Sequence, residues 1–265
     1  EACFLAQARS WKPQEDADSY LTLTTEHARI YCLAEGHMDY FRNGLMAAYA
    51  DYVIGFCDNR GYAAGFGDSS ISVRPNLLTK TLPLALWASR NGEYRWLMEH
   101  LSDTPWNDPY GTDVPPVEPT RLLGVTVFPM DPQVYAWTQS HPSYNEPLVK
   151  AEVSAQEAFD KISFRENWSP DGQYLLLDGL ARGKHLHYDA NAIIAFVEGG
   201  ERWLLDSDYL VRNTTEHCMV TILREGRADA LVPSMSGLLC SVDLPTFGYT
   251  RTITRDYSGC DWQRQ

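Results

Sequence analysis

The chain has 265 residues, 44% of them hydrophobic, enough to bury a substantial core in one large or two ordinary domains. A net charge of -13 argues against a nucleic-acid partner, because long-range steering of a polyanion would be repulsive; any acidic ligand needs local basic groups to offset it. No apolar run approaches the length of a membrane span, and the six scattered cysteines form no C-x-x-C pair and are too sparse for a disulfide-built scaffold.

The first residues, Glu1-Ala2-Cys3-Phe4, carry neither an initiator methionine nor a signal-peptide pattern, so the sequence is expected to begin inside a longer protein. From about Ser19 to Leu101 the periodicity is helical. Ala28, Ile30, Tyr31, Leu33 and Ala34 lead toward Gly36, and Tyr40, Leu45, Met46, Tyr49, Tyr52 and Val53 recur at helix-compatible spacings. A third helix is expected over 76–89, with Pro83 kinking it or marking its first turn, and a fourth over 93–101. These read as stacked antiparallel helices. The glycine-rich connection over 58–69 permits backbone conformations that other residues resist, and no strand leads into it as a nucleotide-binding loop requires.

Between Asp103 and Pro147 prolines mix with Trp106, Tyr110, Trp137 and Tyr144, which predicts a long irregular crossover and a domain boundary. Residues 1–147 are therefore expected to form a helical domain with its crossover, and 148–265 a second domain. In the second part short apolar or alternating runs recur over 161–164, 173–177, 192–197, 202–205, 218–223, 230–232 and 249–254. These predict an antiparallel sheet system, a sandwich, so the fold class is α+β. Eight tryptophans and fifteen tyrosines suit sugar faces or an extended cleft, and Asn167-Trp168-Ser169 and Asn213-Thr214-Thr215 fit the N-glycosylation pattern.

The stretch Gly183-Lys184-His185-Leu186-His187-Tyr188-Asp189-Ala190-Asn191 crowds two imidazoles and a carboxylate into five residues between two apolar runs. An extended backbone there would put His185, His187 and Asp189 on one face of a sheet, and Leu186 and Tyr188 on the other. Downstream, Trp203-Leu204-Leu205-Asp206 ends a strand in a carboxylate, and His217 follows the turn over 212–215. His187, Asp206 and His217 form an N, O, N set that zinc tolerates, with a fourth position for water or another group. His187 and His217 with Asp189 also match the two-histidine, one-carboxylate arrangement of iron oxygenases, so that second metal chemistry stays open.

The run from Lys161-Ile162-Ser163-Phe164-Arg165 through Trp168-Ser169-Pro170-Asp171-Gly172-Gln173-Tyr174 to Asp178-Gly179, the histidine stretch, and Trp203-Leu204-Leu205-Asp206 resemble, in order and spacing, the heparinase II/III-like polysaccharide lyases. Asp16-Ala17-Asp18-Ser19-Tyr20 looks like the segment bearing that family's catalytic tyrosine, and Gly65-Phe66-Gly67-Asp68-Ser69 like a loop found after it. The resemblance implies a partial toroid of paired helices followed by an antiparallel β-sandwich. It also implies a lyase that cleaves uronic-acid glycans by β-elimination in a secreted or periplasmic setting. It assigns Tyr20 as catalytic acid or base, His185 as a substrate-carboxylate or proton-transfer residue, and His187, Asp206 and His217 as ligands of a structural zinc ion. Arg165, Arg182 and Lys184 lie near these motifs in the sequence and are expected to bind an acidic polysaccharide or oligosaccharide.

The chain departs from the family where Cys218, rather than asparagine, follows His217. The asparagine and histidine that the family supplies from earlier helices have no counterpart here, and 257–264 resembles an internal strand of the sandwich. A glycan-binding or scaffolding relative that kept the fold and lost part of the site is the non-enzymatic alternative. A glycoside hydrolase would need paired carboxylates that do not stand out among 35 acidic residues.

Overall fold

Helix α1 (Asp18–Ala34) buries Leu21, Thr25, Ala28, Arg29 and Cys32, which recur every three or four positions, and leaves Leu23, Ile30 and Leu33 exposed. After the short α2 (Asp39–Arg42), helix α3 (Leu45–Gly55) buries Met46, Tyr49, Ala50, Tyr52, Val53 and Ile54, so it is enclosed almost all round. Helices α4 (Asn76–Ser89) and α5 (Gly92–Leu101) follow, and α3, α4 and α5 pack in succession. Pro83 lies inside α4, beyond its first turn. The structure, a computed structural model, describes residues 8–69, 76–101, 106–141, 150–182, 185–206, 209–227 and 232–265.

The crossover is more ordered than its composition suggests. It contains strand β1 (Gly124–Pro129) and helix α6 (Pro132–Ser140), so the sheet begins at Gly124 rather than after Pro147. The Asp131 carboxylate caps α6 by accepting from the Gln133 and Val134 amides, and Pro132 opens the helix where a missing N–H costs nothing. Asp131 also accepts from Ser10 Oγ at 2.8 Å and Trp11 N at 3.1 Å, which ties the start of the described chain to this helix.

Strands β2 (Phe159–Arg165), β3 (Tyr174–Asp178), β4 (Ile193–Glu198) and β5 (Glu201–Leu205) join β1 in an antiparallel sheet of order β1-β2-β3-β4-β5. Strands β6 (Gly237–Leu244), β7 (Phe247–Tyr257) and β8 (Cys260–Arg264) form a second antiparallel sheet. This is the expected α+β class. Residues 218–223, expected as a strand, have no regular structure; Met219 and Ile222 pack instead against Ala181, Ala190, Val232 and Tyr257. The strand expected over 230–232 falls largely outside the described residues.

Period-two alternation divides the five-stranded sheet. Tyr174 and Leu176 join the helical core, whereas Leu175 and Leu177 join Val125, Val127, Ile162 and Phe164 in a cluster that reaches Leu238 of the second sheet. Between β1 and β2 the register slips at Asp160, since Phe128 faces Lys161 and Pro129 faces Phe159. This bulge brings two consecutive side chains, Asp160 and Lys161, into one buried network. Lys12 Nζ lies 2.6 Å from Asp160, Tyr52 donates to Asp160 at 2.7 Å, and Lys161 donates to Asp16 at 2.8 Å and Asp178 at 2.7 Å. The helical layer is thus fastened to the sheet by ion pairs that are 0–2% exposed. Burial pushes Asp178 up to about 7 despite Lys161. Asp160 is held below the usual range because the charges of Lys12 and Lys161 outweigh its burial.

Candidate active site and metal centre

Tyr20 sits in the first turn of α1, and His185 lies just before β4; the fold lays their rings face to face, centroids 3.6 Å apart and planes 2° from parallel. Glu15 fixes the imidazole. Its carboxylate lies 2.8 Å from His185 Nδ1 and also accepts from the Asp16 amide at 2.9 Å and the His185 amide at 3.3 Å. A carboxylate at Nδ1 selects the tautomer that carries its proton there, which leaves Nε2 as the ring atom for a ligand. The Tyr20 phenol is held above its ordinary pKa by a hydrogen bond with Tyr209 and by the negative charges of Asp68 and Glu15. Tyr20 is half-buried and the His185 side chain is 29% exposed, so solvent reaches this pair.

The loop before α4 sets this geometry. Gly67 has φ +61°, and a Cβ there would lie 2.1 Å from the Asp16 carbonyl oxygen and 2.7 Å from that of His185, so only glycine fits. The next residue, Asp68, donates its amide to the His185 carbonyl at 2.9 Å. The Asp68 carboxylate accepts from Arg212 at 2.9 Å and lies 3.2 Å from His187 Nε2. Ser69 supports the start of α1, where Ala17 offers no side-chain cap, by accepting from the Ser19 amide at 3.2 Å. Asp18 in that turn is pushed up to about 6 by burial, against the hydrogen bonds from Ser69 and the Ser19 amide.

The histidine stretch is not a strand; residues 185–192 form turns and irregular backbone ahead of β4. The two imidazoles therefore part. His185 joins Tyr20, whereas His187 turns inward and meets Asp189, Asp206 and His217, whose ligand atoms all lie within 4.8 Å of one another. These four residues are 1%, 1%, 4% and 7% exposed in that order. His217 Nδ1 lies 2.7 Å from Asp206 Oδ1. His187 Nδ1, both Asp189 oxygens and Asp206 Oδ2 are buried without a hydrogen-bond partner. Burial and then the neighbouring His217 hold the His187 pKa below the ordinary value, which favours the neutral imidazole that ligates metals. Asp189 is pushed up to about 8, by burial first and by Asp206 next. Unsatisfied buried acceptors beside neutral imidazole nitrogen are what a cation would satisfy, so the cluster can hold a metal ion. His187, Asp206 and His217 converge here, and so does Asp189, so both N, O, N sets read from the sequence share one place. Cys218 stays out of the group and points its Sγ to the Leu205 carbonyl at 3.5 Å.

Two of the three basic residues expected at the substrate, Arg165 and Arg182, are buried. Arg165 is 2% exposed, between the rings of Trp168 and Tyr174 at 4.3 and 4.6 Å, and donates to Asn59 Oδ1 and to the carbonyls of Ile54 and Cys57 just at and beyond the end of α3. It completes a helix terminus instead of facing the cleft. Arg182 is buried and donates to the His141 carbonyl at 2.6 Å. Lys184 lies outside the described residues. Arg212, which pairs with Asp68, has no sequence signal that marks it, and neither do Glu15 and Tyr209, which act on His185 and Tyr20. Asp68 was at least within a flagged loop.

No protein-family model matches the sequence, and no curated protein matches it significantly. Among solved structures the chain is similar to a crystal structure of heparinase III, with TM-score 0.53 and 12% identity over 85% of this chain and 32% of that one. It is similar to a second heparinase III with TM-score 0.53 and 13% identity, over 84% of this chain and 29% of the other. The likeness is one of fold, and the chain spans about a third of the length of the heparinase III chains it resembles.

Proposed function

We propose that the protein is a polysaccharide lyase, a carbon–oxygen lyase that opens uronic-acid glycans by β-elimination, with a structural zinc ion held by His187, Asp206 and His217. The observation that carries this reading is the stacked pair of Tyr20 and His185, 165 positions apart in the chain and braced by Glu15. The reaction removes the C5 proton, neutralises charge building on the C6 carboxylate and protonates the departing O4. A phenol held above its ordinary pKa keeps its proton at rest, which suits Tyr20 to protonating O4. His185, with Nδ1 committed to Glu15, offers Nε2 to the C5 proton or, once protonated, a positive charge to the carboxylate. Arg212, paired with Asp68, supplies a cation at the same cleft and offsets the chain's acidic balance. Bound zinc would supply a rigid cross-link among the segments carrying 187, 206 and 217. Such a protein acts on extracellular or periplasmic glycan, and no helix among the described residues is long and apolar enough to cross a membrane.

The test is the complete protein against a panel of acidic polysaccharides, followed by the ultraviolet absorbance of the new C4–C5 double bond. Tyr20→Phe and His185→Ala should each lower kcat by about 10²–10⁴-fold while leaving the thermal melt in place. A fully active Tyr20→Phe protein would remove the centre of the mechanism, since phenylalanine keeps the ring but exchanges no proton. Binding of a glycan with no product from any member of the panel would favour the non-catalytic relative.

A further inference from the structure

We propose that Asp189 is the fourth protein ligand of the metal centre and closes its coordination shell, so that the ion is locked in by side chains and has no position for water, oxygen or substrate. This deepens the metal site of the reading above and rests on it.

The first support is the state of the carboxylate. Asp189 is 1% exposed, and neither of its oxygens has a hydrogen-bond partner. A buried carboxylate without donors is costly in either protonation state unless something electropositive faces it. Lysine does not meet the need. Asp189 lies close to Asp16 and Asp178, but Lys161 directs its ammonium to Asp16, Asp178 and Asp160. The second support is placement: a ligand atom of Asp189 lies within 4.8 Å of those of His187, Asp206 and His217, the mutual proximity of donors around one ion. The third is charge. Two carboxylates and two neutral imidazoles balance a divalent cation, whereas the set without Asp189 leaves one positive charge over in a buried place.

The backbone holds Asp189 in position independently of any ion. Its carbonyl accepts from the Ala192 amide at 2.7 Å across a turn in which Asn191 has φ +74°, and the Tyr188 amide bonds the Arg212 carbonyl at 3.1 Å. The far side of His187 is held by Asp68 at Nε2, so Nδ1 is the atom turned to the ion, with a carboxylate in the outer shell. Four protein donors make a structural site, since catalytic zinc sites and iron oxygenases both keep an open position. The oxygenase alternative is therefore disfavoured by the same residue that first suggested it.

The experiment uses cobalt(II), whose visible absorption reports coordination number, in the metal-stripped chain. The expected result is a four-coordinate spectrum that added azide does not change. In Asp189→Asn, cobalt affinity should fall by more than the roughly 10–100-fold that losing an outer-shell partner costs, and the spectrum should become sensitive to azide. An azide-responsive spectrum in the unaltered protein overturns the proposal, as does an Asp189→Asn protein that binds cobalt as tightly as the parent. If the variant does not fold, the azide measurement on the unaltered protein decides alone. Failure of the unaltered protein to take up cobalt or zinc at all defeats the metal reading itself and this proposal with it, an outcome distinct from an open but occupied site.

Discussion

Gly67 places one backbone atom where a side chain would collide with two segments of the site, the Asp16 carbonyl just ahead of α1 and the His185 carbonyl in the irregular chain ahead of β4. Gly67→Ala should cost about 2 kcal/mol or more, from left-handed strain and overlap together. It should also lower elimination activity disproportionately, because relaxing the overlap moves His185 off Tyr20; denaturant unfolding and kcat on the same preparation check both. Asp18, next to this loop and 5% exposed, gives a pH signature. Its folded pKa of about 6 exceeds the 3.8 of an unfolded carboxylate, so the folded state holds the proton more tightly. Its contribution is fully present below about pH 4 and is lost as pH rises through 6. The stability of the parent relative to Asp18→Asn should therefore fall by about 2 kcal/mol between pH 4 and pH 7, read from urea midpoints across that range. A flat difference would mean that Asp18 is solvated and ionised throughout. At this scale the sequence shows side-chain chemistry but not meetings: His187, Asp206 and His217 stand out by type and spacing, whereas Glu15 and Arg212 gain meaning only when folding brings them to His185 and Asp68.

Among elements, those with an unmistakable partner surface were legible. Helices α1, α3 and α5 bury one stripe or nearly their whole circumference, and β3 and β4 carry near-continuous apolar runs, so pattern alone locates them. Strand β6 was not, because most of it is exposed, with Val242 and Leu244 at the surface, so its apolar residues mark no alternating buried face. Strand β1 and helix α6 were hidden by proline, which punctuates their ends at Pro129 and Pro132 while leaving their interiors free. The reverse holds at 218–223, where Met219 and Ile222 pack as irregular chain. The bulge at Asp160 had no sequence signal, yet it creates the pairing of Lys12, Lys161 and their carboxylates. Lys161→Met should destabilise the protein by roughly 3–5 kcal/mol, because it leaves Asp16 and Asp178 buried without their cation; urea unfolding measures it. A loss under 1 kcal/mol would show that the network is replaceable by packing alone.

For the whole molecule, the -13 charge and the acidic glycan proposed as substrate are reconciled by where the cations go. Lys12, Lys161 and Arg165 are buried on carboxylates and carbonyls, whereas Arg212, paired with Asp68, has a side chain that is 39% exposed. Binding should therefore depend on local geometry and be less steered from a distance than in a basic protein.

The position of Arg165 also sets an order of assembly. It holds the carbonyls of Ile54 and Cys57 from 111 and 108 residues further along the chain. During synthesis the end of α3 therefore emerges long before the guanidinium that finishes it. At about 5–20 residues per second, that interval is roughly 5 to 20 seconds, an eternity beside the microseconds a helix needs to form. The nascent helical layer therefore waits for β2 to bring the group that completes the end of α3.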